Sequence, residues 1–269
     1  MIKRIFILFL LVTLFVTPAH ANPVPEPIEL TILMYHNLHK NTGQYSITPE
    51  EFEKDLAFLK SAGYTGIGIS DLIAFVYEGK PLPPKPIMLT FDDGLYNNYH
   101  YGLPLLQEYG FKAVISVIGE HSETWSNNFY EDLKSGHVTW EQISEMVDSG
   151  CFEIGNHTYG LHYIANGRKG CVRMEGEALT DYHRVLGRDL ERLQMLLQEN
   201  CGVTPEVFAY PYHAVSEESF LVLKAIGIRA AFTGGGKSNT ITPGDAECLY
   251  DLRRVNRSRF HTAETILNN

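Results

Sequence analysis

The chain of 269 residues is poor in basic side chains, in cysteine and in long apolar runs. Lysine and arginine number 22 against 32 aspartates and glutamates, a formal charge of −10. Nucleic-acid binding depends on basic patches that neutralise phosphate, so this balance argues against nucleic-acid partners. The four cysteines, Cys151, Cys171, Cys201 and Cys248, form no C-x-x-C pair, which argues against a zinc ribbon. In an oxidising compartment they allow one or two disulfides, with three full pairings that sequence does not separate. A free cysteine is the alternative, and Cys151, where a strand should begin, fits it. No G-x-S-x-G elbow occurs, which counts against a serine esterase. No low-complexity tract or shift of composition marks a second domain. Beyond the N-terminus, no segment is apolar over the ~20 residues that span a bilayer.

The exception is the start. Lys3 and Arg4 precede an apolar run from Ile5 to Val16, and Ala19-His20-Ala21 follows. Basic start, short apolar core and A-x-A site describe a secretory signal peptide over residues 1–21, with export to the periplasm, envelope or exterior; an uncleaved membrane anchor is the alternative, but the apolar run is shorter than the ~20 residues of a bilayer span. Removal of the signal peptide leaves a formal charge of −12 and no stable membrane span. A proline-rich linker over 22–28 comes next, and residues 29–269 are expected to form the working domain. At 44% hydrophobic and 20% charged residues, that length supports one barrel-sized core.

Short apolar runs alternate with helical patterns along the chain. Strands are predicted at Leu30–Tyr35, Gly66–Ile69, Ile87–Phe91, Ala113–Ile118, Cys151–Ile154, Val207–Tyr210, Ala230–Thr233 and Leu252–Val255. Between them, Thr48-Pro49-Glu50-Glu51 and Thr139-Trp140-Glu141-Gln142 read as capping boxes opening helices. Further helices are expected from a cap at Asp71 through Tyr77, over Asn97–Tyr109, through Leu186 to about Asn200, and over Ser216–Ile226. Residues 119–137 read as irregular, a lip over a site. The alternation predicts an α/β fold with a parallel sheet, and the number of repeats favours a barrel.

In such a barrel the C-terminal strand ends share one face, where chemistry collects. Those ends deliver His36, Asp92 and Asp93, His157 with His162, and Tyr212. Because side chains alternate along a strand, Asp92 and Asp93 should point different ways, one toward a metal and one toward the reacting atom. His157 and His162 stand five apart, which does not share a helical face, but an irregular turn can bring both to one ion. With a carboxylate they form the two-histidine, one-carboxylate set of catalytic zinc sites, a set that also holds other divalent metals.

Thr90-Phe91-Asp92-Asp93-Gly94, then His157-Thr158-x-x-x-His162, then Phe208-Ala209-Tyr210-Pro211-Tyr212 resemble the polysaccharide deacetylase (NodB-homology) family over most of the chain. The resemblance implies a distorted (β/α) barrel with fewer than eight full repeats, and hydrolysis of acetyl groups on an acetylated polysaccharide, N-acetylhexosamine polymers above all. It makes Asp92 the general base, Asp93, His157 and His162 the ligands of a divalent metal, zinc first among candidates, and the backbone N–H of Tyr212 an oxyanion donor. The family's C-terminal Leu-x-His acid is missing. Leu33-Met34-Tyr35-His36 is instead similar to the permuted arrangement of poly-N-acetylglucosamine deacetylases, which makes His36 the acid. Ala209 stands where many relatives carry an arginine that orients the base, a role either vacant here or filled by Arg253 or Arg254, with Asp251 able to pair with either. His213 replaces the usual glycine after the Pro-Tyr pair. An inactive carbohydrate-binding barrel and an O-acetyl esterase are the competing readings.

Overall fold

The computed structural model describes residues 25–40 and 43–268; the expected signal segment, and the linker up to residue 24, lie outside them. Seven parallel strands close on themselves: β1 (Ile28–Tyr35), β2 (Pro86–Phe91), β3 (Ala113–Val117), β4 (Phe152–Asn156), β5 (Val207–Ala209), β6 (Ala230–Gly234) and β7 (Leu252–Asn256). Closure comes at β1, where Tyr35 pairs with Phe91 on one side and Leu33 with Val255 on the other. Around the barrel run α1 (Pro49–Ser61), α2 (Ile69–Glu78), α3 (Leu103–Tyr109), α4 (Gly119–Asn127), α5 (Trp140–Asp148), α6 (Leu179–Cys201), α7 (Ser219–Ala225) and α8 (Ala263–Leu267). This is the distorted barrel the resemblance implied.

Strand alternation gives the barrel an inner and an outer apolar face. Ile32, Met88, Val114, Val207, Ala209, Phe232 and Leu252 fill the barrel interior, joined by Leu72, Ile73 and Phe75 of α2. Their neighbours Leu33, Tyr35, Leu89, Phe91, Ile115 and Val117 face outward against Phe52 and Leu56 of α1 and Ile143 of α5. The residue after each outward-facing strand end therefore turns inward, which is how His36 and Asp92 reach the barrel mouth. Both capping boxes form: Thr48 Oγ1 accepts from Glu51 N at 3.2 Å and Thr139 Oγ1 from Gln142 N at 3.2 Å.

Several expectations are corrected. Residues 119–137 are not wholly irregular, since α4 occupies the first nine. Its sequence is polar and lacks an apolar stripe, so tertiary bonds rather than amphipathicity hold its start: Gly119 N and Glu120 N donate to Thr158 O (3.0 Å) and Tyr159 O (2.9 Å). The expected strand at Gly66–Ile69 is only Thr65–Gly66, and α2 starts at Ile69. Asp71 does not cap it from outside but reaches back from the first turn to accept from Gly68 N at 2.9 Å. The segment expected as one helix from Asn97 begins as a π-helical turn over Asn98–Gly102. α7 starts at Ser219, three residues after the expected Ser216. A short strand, Asn239–Ile241, adds antiparallel to β1, and α8 was not anticipated. All four cysteines are free, with Cys151 half-buried just before β4. Among the described residues no helix is long and apolar enough to cross a membrane.

Candidate active site

Asp92 and Asp93 leave the end of β2 in opposite senses because Asp93 takes a left-handed conformation, φ 72°. Asp92 turns into the barrel mouth and is buried. There Arg254 grips it with two parallel bonds, Nη1 to Oδ1 and Nη2 to Oδ2, each 2.7 Å. Such fork-to-fork pairing fixes the carboxylate plane as well as its charge. Arg254 also donates from Nε to Thr233 O at 3.2 Å and from Nη1 to Thr90 Oγ1 at 3.3 Å. Burial alone would raise the Asp92 carboxyl; the guanidinium outweighs it, and His157 helps, so the group is held well below the usual carboxylate range. Arg254 thus supplies the guanidinium missing at Ala209, whereas Arg253 pairs with Asp251 on the exposed surface at 3.0 Å. In β7, Leu252 and Arg254 are buried and Arg253 is exposed, so only Arg254 faces the mouth.

Asp93 faces the two histidines. Its Oδ1 lies 3.5 Å from His157 Nε2 and 3.4 Å from His162 Nε2, and one ligand atom from each residue falls within 4.8 Å of the others. Burial pushes the Asp93 carboxyl up, but His157, His36 and His162 bring it down to about 2. His157 follows β4, is buried, and donates from Nδ1 to Ala209 O at 2.7 Å. That bond leaves Nε2 to face Asp93, so the contact calls for a proton or a cation between nitrogen and oxygen. Burial works against charge on His157, yet Asp93 and Asp92 raise it overall. His162 is lowered to about 4 by burial and by His157, and so presents a neutral ring. An anchored imidazole, a neutral imidazole and an ionised carboxylate converging on one point fit a divalent ion with open positions left for water or substrate.

His36 sits across from this set, its Nε2 3.9 Å from Asp92 Oδ2. Its Nδ1 is buried, with no hydrogen-bond partner among the described residues. Burial lowers the imidazole, opposed by Asp93 and Asp92. Tyr212 follows β5 and Pro211 at φ 58°, and its hydroxyl donates to His162 O at 3.1 Å. His213 also has a positive φ, 54°, and its ring fills the space where a side chain on Gly234 would be: a Cβ there would stand 2.5 Å from His213 Cγ. An open cleft of about 470 Å³ runs beside the site, lined by His36, Tyr45, Asp93, His121, His137 and His162. His137 escaped the sequence reading; its Nδ1 donates to Asp93 O at 3.0 Å and helps hold the strained residue. Asp189 and Asn156, which hold the turn between the two histidines, were likewise not singled out. The six residues expected at the strand ends are therefore brought to one mouth, with Arg254 completing the group.

Fold and site together define a parallel α/β barrel with three side chains able to hold a metal ion and an arginine-bound carboxylate at its C-terminal mouth. Residues 79–231, more than half of the chain, match the family described as polysaccharide deacetylase, and the chain belongs to that family. It is 26% identical over 222 residues to the poly-β-1,6-N-acetyl-D-glucosamine N-deacetylase of Escherichia coli K12, covering 75% of this chain and 33% of that protein. The corresponding protein of Staphylococcus epidermidis is 26% identical over 216 residues, 80% of this chain and 69% of its own length. The solved structure of IcaB from Ammonifex degensii superposes with a TM-score of 0.74 at 26% identity, covering 90% of this chain and 97% of that one. The chain thus spans about a third of the length of the Escherichia coli relative.

Proposed function

We propose that this chain is a metal-dependent hydrolase that removes N-acetyl groups from an N-acetylglucosamine polymer, a β-1,6-linked one by analogy with its relatives. The observation that carries the reading is the convergence of Asp93, His157 and His162 within 4.8 Å beside the Arg254-locked Asp92. Asp93, His157 and His162 would hold the ion, zinc being our assignment from the nitrogen-rich donor set. When bound, the ion supplies a Lewis acid for the acetyl carbonyl and an acidified water.

The remaining work falls to the protein. Asp92, kept ionised by Arg254, accepts the proton of the attacking water as general base. The backbone N–H of Tyr212 donates to the oxygen that gains charge as the carbonyl carbon becomes tetrahedral. His36, whose burial makes its protonated form a stronger acid, gives a proton to the departing amine. The products are acetate and a free amino sugar. Residues 1–21 direct export in this reading, and residues 29–269 form the catalytic unit.

The test is acetate release from β-1,6-linked N-acetylglucosamine oligomers, with zinc and after chelation, beside a chitin oligomer and acetylated xylan. Metal-dependent release from the N-acetylated β-1,6 oligomers is expected. Release from acetylated xylan alone would replace this reading with the O-acetyl esterase, and no release from any substrate by zinc-loaded protein would leave the inactive barrel.

A further inference from the structure

The turn that joins the two metal-binding histidines is gripped from outside the barrel by one helix. Thr158, in the left-handed region at φ 75°, donates its N–H to Asn156 Oδ1 at 2.9 Å. Asn156 is itself tied to α6 through Leu190 O at 3.1 Å. The next two N–H groups both go to Asp189 of α6: Tyr159 N to Oδ1 at 2.8 Å and Gly160 N to Oδ2 at 2.9 Å. On the other side, the carbonyls of Thr158 and Tyr159 accept from the first residues of α4. Three consecutive N–H groups are thus held by two side chains, one of them a carboxylate with one oxygen for each donor.

We propose that Asp189 is a positioning residue that sets the separation of His157 and His162 and thereby the affinity for the metal ion. The inference rests on the reading of those two histidines as ligands. It goes beyond that reading because Asp189 lies on α6, outside the ligand set, and bonds the backbone of Tyr159 and Gly160 between the two histidines. The geometry favours this role over a general packing role. Arg192, one helical turn further along α6, lies 3.6 Å over the Tyr159 ring and donates to Glu123 at 3.2 Å. It packs the same turn without bonding its backbone. Asp189 holds the backbone, and backbone direction decides where both imidazoles stand.

Asn at position 189 keeps one carbonyl oxygen and places an NH₂ group against the other donor, so one N–H loses its acceptor. Ala removes both acceptors. At pH 7.5, zinc affinity measured by competition with a chromophoric chelator is expected to weaken roughly tenfold or more in Asp189→Ala and by less in Asp189→Asn. Far-UV circular dichroism and the melting temperature of the chelator-treated protein report whether each variant is folded. Arg192→Ala is expected to keep zinc affinity within about twofold, and a loss equal to that of Asp189→Ala would overturn the backbone mechanism in favour of general packing. Folded Asp189→Asn and Asp189→Ala proteins that both bind zinc as tightly as wild type would overturn the proposal. His162→Ala separates the two readings. If it loses zinc while Asp189→Ala does not, only the positioning role fails; if it too binds normally, the ligand assignment is wrong.

Discussion

At the scale of single residues the central fact is that two adjacent carboxylates have opposite duties. Asp92 is bound to a buried guanidinium and Asp93 to two imidazoles, and the left-handed conformation of Asp93 makes the division. Asp92→Asn is expected to lower kcat by roughly 10²–10⁴-fold with zinc still bound, read from acetate release beside metal content. Arg254→Gln leaves Asp92 buried without its cation. Breaking one side of a buried ion pair costs about 3–5 kcal/mol, so the urea midpoint should fall at neutral pH. The sign of the pH effect follows from the depressed carboxyl. In the wild type, the stability Asp92 contributes is present above its unfolded pKa and is lost as pH falls through its lower folded value. In Arg254→Gln that depression is gone, so the deficit relative to wild type should shrink as pH is lowered from 7 toward 3, measured by urea midpoints. An undiminished deficit would mean that Arg254 stabilises by packing rather than by charge. The pair was half legible beforehand: Asp92 stood in a recognisable motif, but Arg254 was only one of two candidates, because charge alone does not say which way a side chain faces.

Among the elements, α4 and α6 matter more than their sequences suggested. They clamp the histidine turn from two sides, α4 through its first N–H groups and α6 through Asp189 and Leu190 O. The approach of α4 requires a residue without a side chain at Gly119, where a Cβ would stand 2.7 Å from the Tyr159 ring and 3.1 Å from Tyr159 Cα. Gly119→Ala is therefore expected to cost about 1–3 kcal/mol by overpacking and to weaken zinc binding together with stability. Calorimetry with and without zinc checks both, and unchanged zinc affinity would show that α4 is not part of the clamp. The capping boxes of α1 and α5 were readable because their bonds are local, three residues apart. α4 was not, since the groups that satisfy its first turn lie on a loop some forty residues later.

For the whole molecule, closure of the barrel is what gathers the site. Residues from the ends of β1, β2, β4, β5 and β7 meet at one mouth only because β1 pairs with both β2 and β7. Metal held by Asp93, His157 and His162 would tie the end of β2 to the loop after β4 and should stabilise the fold. Zinc at one hundred times its Kd adds about 2.7 kcal/mol, which for a chain of this size raises Tm by roughly 5–10 °C over the chelated protein. A zinc-independent Tm would count against a site built from Asp93, His157 and His162. The sequence by itself determined the alternation of strand and helix, the placing of His36, Asp92, Asp93, His157, His162 and Tyr212 at strand ends, and the family they resemble. Those features depend on short-range pattern, which the order of residues states directly. Only the tertiary structure decided that Arg254 rather than Arg253 holds Asp92, that α4 is helical, and that Asp189 grips the turn between His157 and His162. Each of these is a contact across many residues, and its partners become neighbours only when the sheet has closed and the helices have packed around it.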